Sequence, residues 1–146
     1  MDERFVPYIP TAGSNMAHAE ITTPTLVKMM IKRSKKPILI LGENLSKDEM
    51  ELIDKFIEKY NLKVIKTPEE MNLMAIMKFL ANSNYDLALF TGITYYYLAQ
   101  AVTHLKQFSN IVTVSIDKYY QPNTLYSFPN LSNDEYIDYL KKLLEG

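Results

Sequence analysis

Three residues stand where a ligand could be held: Gly42, Gly92 and Asp117, each just past the end of a short apolar run. A glycine in that place lets backbone approach a ligand, or simply makes a tight turn. An aspartate there can accept a ribose hydroxyl or cap the turn that follows it. The dinucleotide fingerprint Gly-x-Gly-x-x-Gly is missing, since Glu43-Asn44-Leu45-Ser46 follows Gly42, and no Walker phosphate loop occurs. Ordinary NAD binding is therefore not expected.

Other chemistry has less support. His18 and His104 lie far apart and neither has a second ligand type at metal-binding spacing, so no metal site is expected. There is no cysteine, which removes disulfides, thiolate nucleophiles and iron–sulfur ligation by this chain. No nucleophile–base set or carboxylate pair is marked by position, and no catalytic residue is assigned.

The tyrosines carry a different message. Tyr95-Tyr96-Tyr97 falls in a helical stretch, where successive side chains point about 100° apart, so the three cannot share one core and at least one must reach the surface. Tyr119 and Tyr120 follow shortly after. Tyrosine suits interfaces, because its ring is apolar and its hydroxyl polar. These five residues are read as a partner surface in preference to rings that plug gaps between helices and sheet.

Elements that position these groups can be read from periodicity. Thr23-Pro24 opens a first helix in which Leu26, Val27, Met30 and Ile31 are read as a core-facing stripe. Lys32-Arg33-Ser34-Lys35-Lys36 closes it, and reads as a favourable helix C-terminus rather than a nucleic-acid patch. Pro37–Leu41 is an apolar strand. Ser46 and Glu49 form a capping box for a second helix that stops near Asn61. Lys63–Thr67 is a second strand, and the methionine-rich stretch from Pro68 to Asn84 reads as a helix whose methionines are ordinary core. A β-α-β unit follows: Asp86–Thr91, a helix with the tyrosine triplet, and Ile111–Ile116. Residues after Asp117 are irregular until a last helix over Asp134–Glu145.

Four strands alternating with helices imply an α/β, Rossmann-like three-layer fold with a parallel sheet. The 146 residues suit one domain over 1–146, with residues 1–19 an extended arm stiffened by Pro7 and Pro10. Phe5, Val6, Tyr8 and Ile9 make the arm apolar enough to pack on its own domain or on a partner. Net charge is −1, so no overall field draws in nucleic acid or an anionic membrane. No apolar run is long enough to span a membrane and the N-terminus carries no signal pattern, so a cytoplasmic location is expected.

The chain resembles the epsilon subunits of the archaeal acetyl-CoA decarbonylase/synthase (carbon monoxide dehydrogenase) complex over nearly its whole length. The stretches that carry the resemblance are Asp86–Tyr97, Lys106-Gln107-Phe108-Ser109, Ser115–Asn123 and Lys36–Gly42. Thr11-Ala12-Gly13-Ser14 departs from the Gly-Pro expected there. The resemblance implies an accessory, non-catalytic subunit that binds and stabilises a large alpha subunit. That alpha subunit carries the nickel and iron–sulfur clusters and interconverts CO and CO2, as two alpha with two epsilon within the larger complex of methanogens and related archaea. It also implies help with electron transfer to FAD, and a fold similar to the FAD-binding-type central domain of thiamine-diphosphate enzymes. No cofactor is expected to be bound tightly by this chain, with FAD the one candidate. A second reading is a flavin- or nucleotide-binding electron-transfer module acting without alpha, using Gly42, Thr67, Gly92 and Asp117. An exposed partner face would also let the isolated chain self-associate.

Overall fold

The computed structural model describes residues 18–108 and 110–146, without the side chains of residues 106–108. The expected arm therefore lies outside the described residues up to residue 17, as do the side chains of the Lys106–Ser109 stretch.

The elements are β1 (Glu20–Ile21), α1 (Pro24–Arg33), β2 (Pro37–Leu41), α2 (Lys47–Tyr60), β3 (Lys63–Lys66), α3 (Leu73–Ala81), β4 (Leu87–Thr91), α4 (Tyr95–Phe108), β5 (Val112–Ser115), β6 (Tyr126–Ser127) and α5 (Asn133–Leu143). They build one sheet in the order β1-β6-β5-β4-β2-β3, and every pairing is parallel. Helices α1, α2 and α5 cover one face, where Val27, Phe56, Tyr136 and Leu140 meet Leu39, Leu89 and Val114. Helices α3 and α4 cover the other, where Met77, Leu80, Leu98 and Leu105 meet Ile38, Ile40 and Phe90. The central strand β4 is buried along its whole length, as a strand covered on both faces requires.

Local chemistry explains the helix ends. The Thr23 hydroxyl accepts from Leu26 N–H at 3.3 Å. Ser46 and Glu49 exchange bonds in both directions, at 3.2 and 2.9 Å. Asn61 ends α2 in the left-handed region, φ 50°, a conformation asparagine tolerates better than most residues.

Two expectations are corrected. The helix read from Pro68 begins only at Leu73: the Thr67–Pro68 peptide is cis, residues 67–70 form a turn, and Asn72 supplies the cap by accepting from Ala75 N–H at 2.8 Å. Second, the four expected strands are joined by β1 and β6, and β6 lies in the stretch read as irregular. These two-residue strands are too short for any periodicity. They are held by long-range bonds, Phe128 N–H to Ser115 O at 3.0 Å and Thr22 N–H to Ser127 O at 2.9 Å.

Methionines divide between core and surface. Met77 is fully buried, as read for the whole set, whereas Met74 stays exposed at the start of α3.

Candidate functional site

In an open parallel sheet, the crevice lies at the carboxyl ends of neighbouring strands whose following helices go to opposite faces. Here those strands are β2 and β4, leading to α2 on one face and α4 on the other. Gly42 and Gly92 mark the spot, and they meet each other. Gly42 N–H donates to Thr91 O at 2.9 Å, and Asn44 N–H to Gly92 O at 2.8 Å. A Cβ on Gly42 would sit 2.1 Å from Gly92 O. Gly92 itself has φ +72°. Both glycines are thus required by a backbone crossing between two loops.

Asp117, past the end of β5, serves the same crossing. Its carboxyl accepts from Gly92 N–H and Lys118 N–H, each at 2.9 Å, and also from Ile93 N–H. Burial pushes this carboxyl up from the usual range, against the backbone N–H groups and Lys118, which pull it down. Of the two roles open to Asp117, capping the turn is the one its side chain performs. Thr67 follows β3, with its N–H donating to Leu41 O at 2.9 Å.

A second group of polar residues lies beneath this crossing, and the sequence did not mark it as a unit. Lys118 Nζ is 2.9 Å from the buried carboxylate of Glu49, 3.0 Å from Asn133 Oδ1, and 5.8 Å from the centre of the Tyr136 ring. The Tyr136 hydroxyl donates to Ile116 O at 2.8 Å and lies 2.5 Å from Thr91 Oγ1. Burial, with Asp117 and Glu49 nearby, pushes that hydroxyl well above the ordinary tyrosine value. Glu49 is visible in the sequence only as a helix cap. Its pairing with a lysine 69 positions away has no local signal.

Beside the crossing, between the start of α3 and the start of α4, lies an open cleft of about 550 Å³. That is within the range of small-ligand sites, roughly 300–1,000 Å³. Gly42, Thr67 and Gly92 line it, but Asp117 does not. Its walls are mainly apolar, from Pro68, Leu73, Met74, Ile93 and Tyr97, and among the described residues its one charged lining residue is Glu43.

A diphosphate such as that of FAD is held by free backbone N–H groups or cations at the strand ends. The strand-end amides here are not free, because Asp117 holds the Gly92 and Ile93 N–H groups, and no lysine or arginine lines the cleft among the described residues. Among the described residues, no group of three or more His, Asp or Glu side chains gathers to hold a metal ion, and no helix is long and apolar enough to cross a membrane.

The five tyrosines separate. Tyr96, Tyr97 and Tyr119 are exposed at 75%, 67% and 63%. Tyr95 is half-buried, with its ring edge-on to Tyr96 at 5.2 Å and its carbonyl accepting from Gln121 Nε2 at 3.2 Å. Tyr120 turns inward: its hydroxyl accepts from Ala19 N–H at 3.0 Å and donates to Ala19 O at 2.5 Å, fastening the chain just before β1. The three exposed rings stand in loops and helix starts past the ends of β4 and β5.

Fold and site define a parallel α/β protein of Rossmann-like architecture, with a crevice closed by its own backbone and the Asp117 carboxyl, and an apolar, tyrosine-bearing rim. The chain belongs to the CO dehydrogenase beta subunit/acetyl-CoA synthase epsilon subunit family, whose model it matches over residues 1–144. It is 84% identical over 146 residues, the full length of both chains, to the acetyl-CoA decarbonylase/synthase complex subunit epsilon of Methanocaldococcus jannaschii. Its similarity to subunit epsilon 1 of Archaeoglobus fulgidus is 34%, across 88% of this chain and 84% of that one. Subunit epsilon of Methanothermobacter thermautotrophicus is 28% identical, across 98% of this chain and 96% of its own.

Proposed function

We propose that this chain is the accessory epsilon subunit of an acetyl-CoA decarbonylase/synthase complex, acting by binding and stabilising the nickel- and iron–sulfur-bearing alpha subunit that interconverts CO and CO2. The observation that carries this reading is the exposure of Tyr96, Tyr97 and Tyr119 on one rim, beside a crevice closed by Gly42, Gly92 and Asp117. Three solvated aromatic rings at one edge are the kind of anchor that protein interfaces bury. Family membership supports the identity of the complex, and two alpha with two epsilon is the stoichiometry we assign.

Electron transfer to FAD belongs to the assembled complex in this reading, because the strand ends of this chain offer no diphosphate cradle. The isolated chain then binds no cofactor tightly. The test is anaerobic sizing chromatography of this chain with the alpha subunit of its source, with iron, nickel and flavin read across the peak. A joint peak in which metal tracks alpha is expected. Separate peaks, together with flavin retained by this chain alone, would replace the accessory reading with a flavin module acting without alpha.

A further inference from the structure

We infer that the cleft between α3 and α4 is a socket for one segment of the protein partner, a segment that inserts an apolar or aromatic side chain and carries a lysine or arginine next to it. This rests on the accessory-subunit reading above and names which part of the surface does the docking and what it recognises.

Three observations select this occupant. First, the walls are apolar but not covered: Met74 and Tyr97 line the cleft and remain 45% and 67% exposed. Tyr97 is both a lining residue of the cleft and one of the three exposed tyrosines, so the cleft is walled in part by the tyrosine set. A pocket that receives an anchor side chain, ringed by aromatic groups, is the usual anatomy of an interface centre.

Second, the one charged residue that lines the cleft among the described residues is acidic. Glu43 is exposed and has no ion-pair partner among the described residues. A carboxylate beside an apolar socket favours a cationic neighbour on the inserted group and disfavours an acidic one. Third, an anionic ligand finds no counter-charge here. The N–H groups of Gly92 and Ile93 are held by Asp117, and no lysine or arginine lines the cleft among the described residues. A nucleotide or flavin phosphate would have to sit against Glu43 without a counter-charge.

The amides fit the same occupant. Gln100 is exposed and lines the cleft, and Asn72, whose Oδ1 caps α3, leaves its Nδ2 available. Such groups suit the backbone carbonyls of an inserted segment.

The experiment measures binding of the full chain to the alpha subunit at two salt concentrations, for wild type, Glu43→Lys, Met74→Trp and Tyr119→Ala. All three substituted positions are exposed, so circular dichroism melts should match wild type. Expected are at least about tenfold weaker binding for Glu43→Lys, with a flattened salt dependence, and a similar loss when Met74→Trp fills the socket. Wild-type-like binding by both cleft variants, with Tyr119→Ala weakened, would overturn the socket while leaving the partner. Absence of wild-type binding would overturn both. A parallel titration of 15N-labelled chain with flavin mononucleotide and ADP should leave the Gly42, Thr67 and Thr94 amides unmoved. Saturable shifts confined to those residues would assign the cleft to a nucleotide and overturn the inference by another route.

Discussion

Replacement of Lys118 by methionine tests the buried polar group beneath the crevice. The ammonium lies 2.9 Å from a Glu49 carboxylate oxygen, with the glutamate side chain 2% and the lysine 19% exposed. At an effective dielectric of about 20, the gross attraction at that distance is roughly 6 kcal/mol. Desolvation cancels much of this for the intact pair, yet removal of one partner leaves a buried carboxylate without its cation, which typically costs about 3–5 kcal/mol. Ser46 N–H still donates to Glu49, and the site is not wholly dry, so the lower end, about 3 kcal/mol, is expected. Lost with it is the hydrogen bond to Asn133 at the start of α5. Guanidinium unfolding followed by circular dichroism reads the loss as a lower midpoint at constant slope. Glu49→Gln combined with Lys118→Met removes both charges and should recover most of the loss, since an uncharged pair of similar volume has no stranded ion. A loss below about 1 kcal/mol for the single variant, or no recovery in the double, would refute the claim that the pair is effectively buried.

Three further outcomes follow from single contacts. Gly42→Ala should prevent folding or cost well over about 3 kcal/mol in the same unfolding assay, because its Cβ would meet a backbone carbonyl at 2.1 Å and that neighbour cannot rotate away. Tyr136→Phe should cost about 1–3 kcal/mol in calorimetry, since it strands the Ile116 carbonyl and the Thr91 hydroxyl inside the core. For Asp86, burial pushes the carboxyl up, but the Ser34 hydroxyl and the N–H groups of Lys35 and Lys36 outweigh it and hold it below the usual value. A lowered folded value means stability that is present above the unfolded aspartate value of about 3.9 and is lost as pH falls through the folded one. Asp86→Asn should therefore lose about 1 kcal/mol at pH 7, and its deficit should shrink toward zero in acid unfolding series below about pH 4.

Much of the scaffold was readable in the chain because its signals are local. Thr23, Ser46 and Asn61 act within three or four residues of themselves, and the structure uses each as its chemistry suggests. The runs Pro37–Leu41 and Leu87–Thr91 are too apolar to be exposed on either face, which places them inside a covered parallel sheet whatever the details. The triplet Tyr95-Tyr96-Tyr97 could not all be buried on one helix, and two of its rings are not. Where the local signal misled, at Pro68–Asn72, apolar spacing ran on through a turn that ends only at the Asn72 cap.

What tertiary structure alone decided are the relations between residues distant in the chain. Gly42 and Gly92 looked like two independent strand-end glycines. Only the parallel pairing of β2 with β4 brings them into a contact that excludes any Cβ. Asp117 left two roles open until the fold placed its carboxyl on the Gly92 N–H, 25 positions earlier. Tyr119 and Tyr120 are neighbours of the same type, yet one faces solvent and the other fastens Ala19, because the loop that carries them turns between. β1 and β6 exist because their partners offer free backbone groups at the right height, not because two residues have a preference of their own. Periodicity and capping set the elements through contacts a few residues long; closure of the crevice and the shape of the cleft depend on distances that exist only once the sheet has assembled.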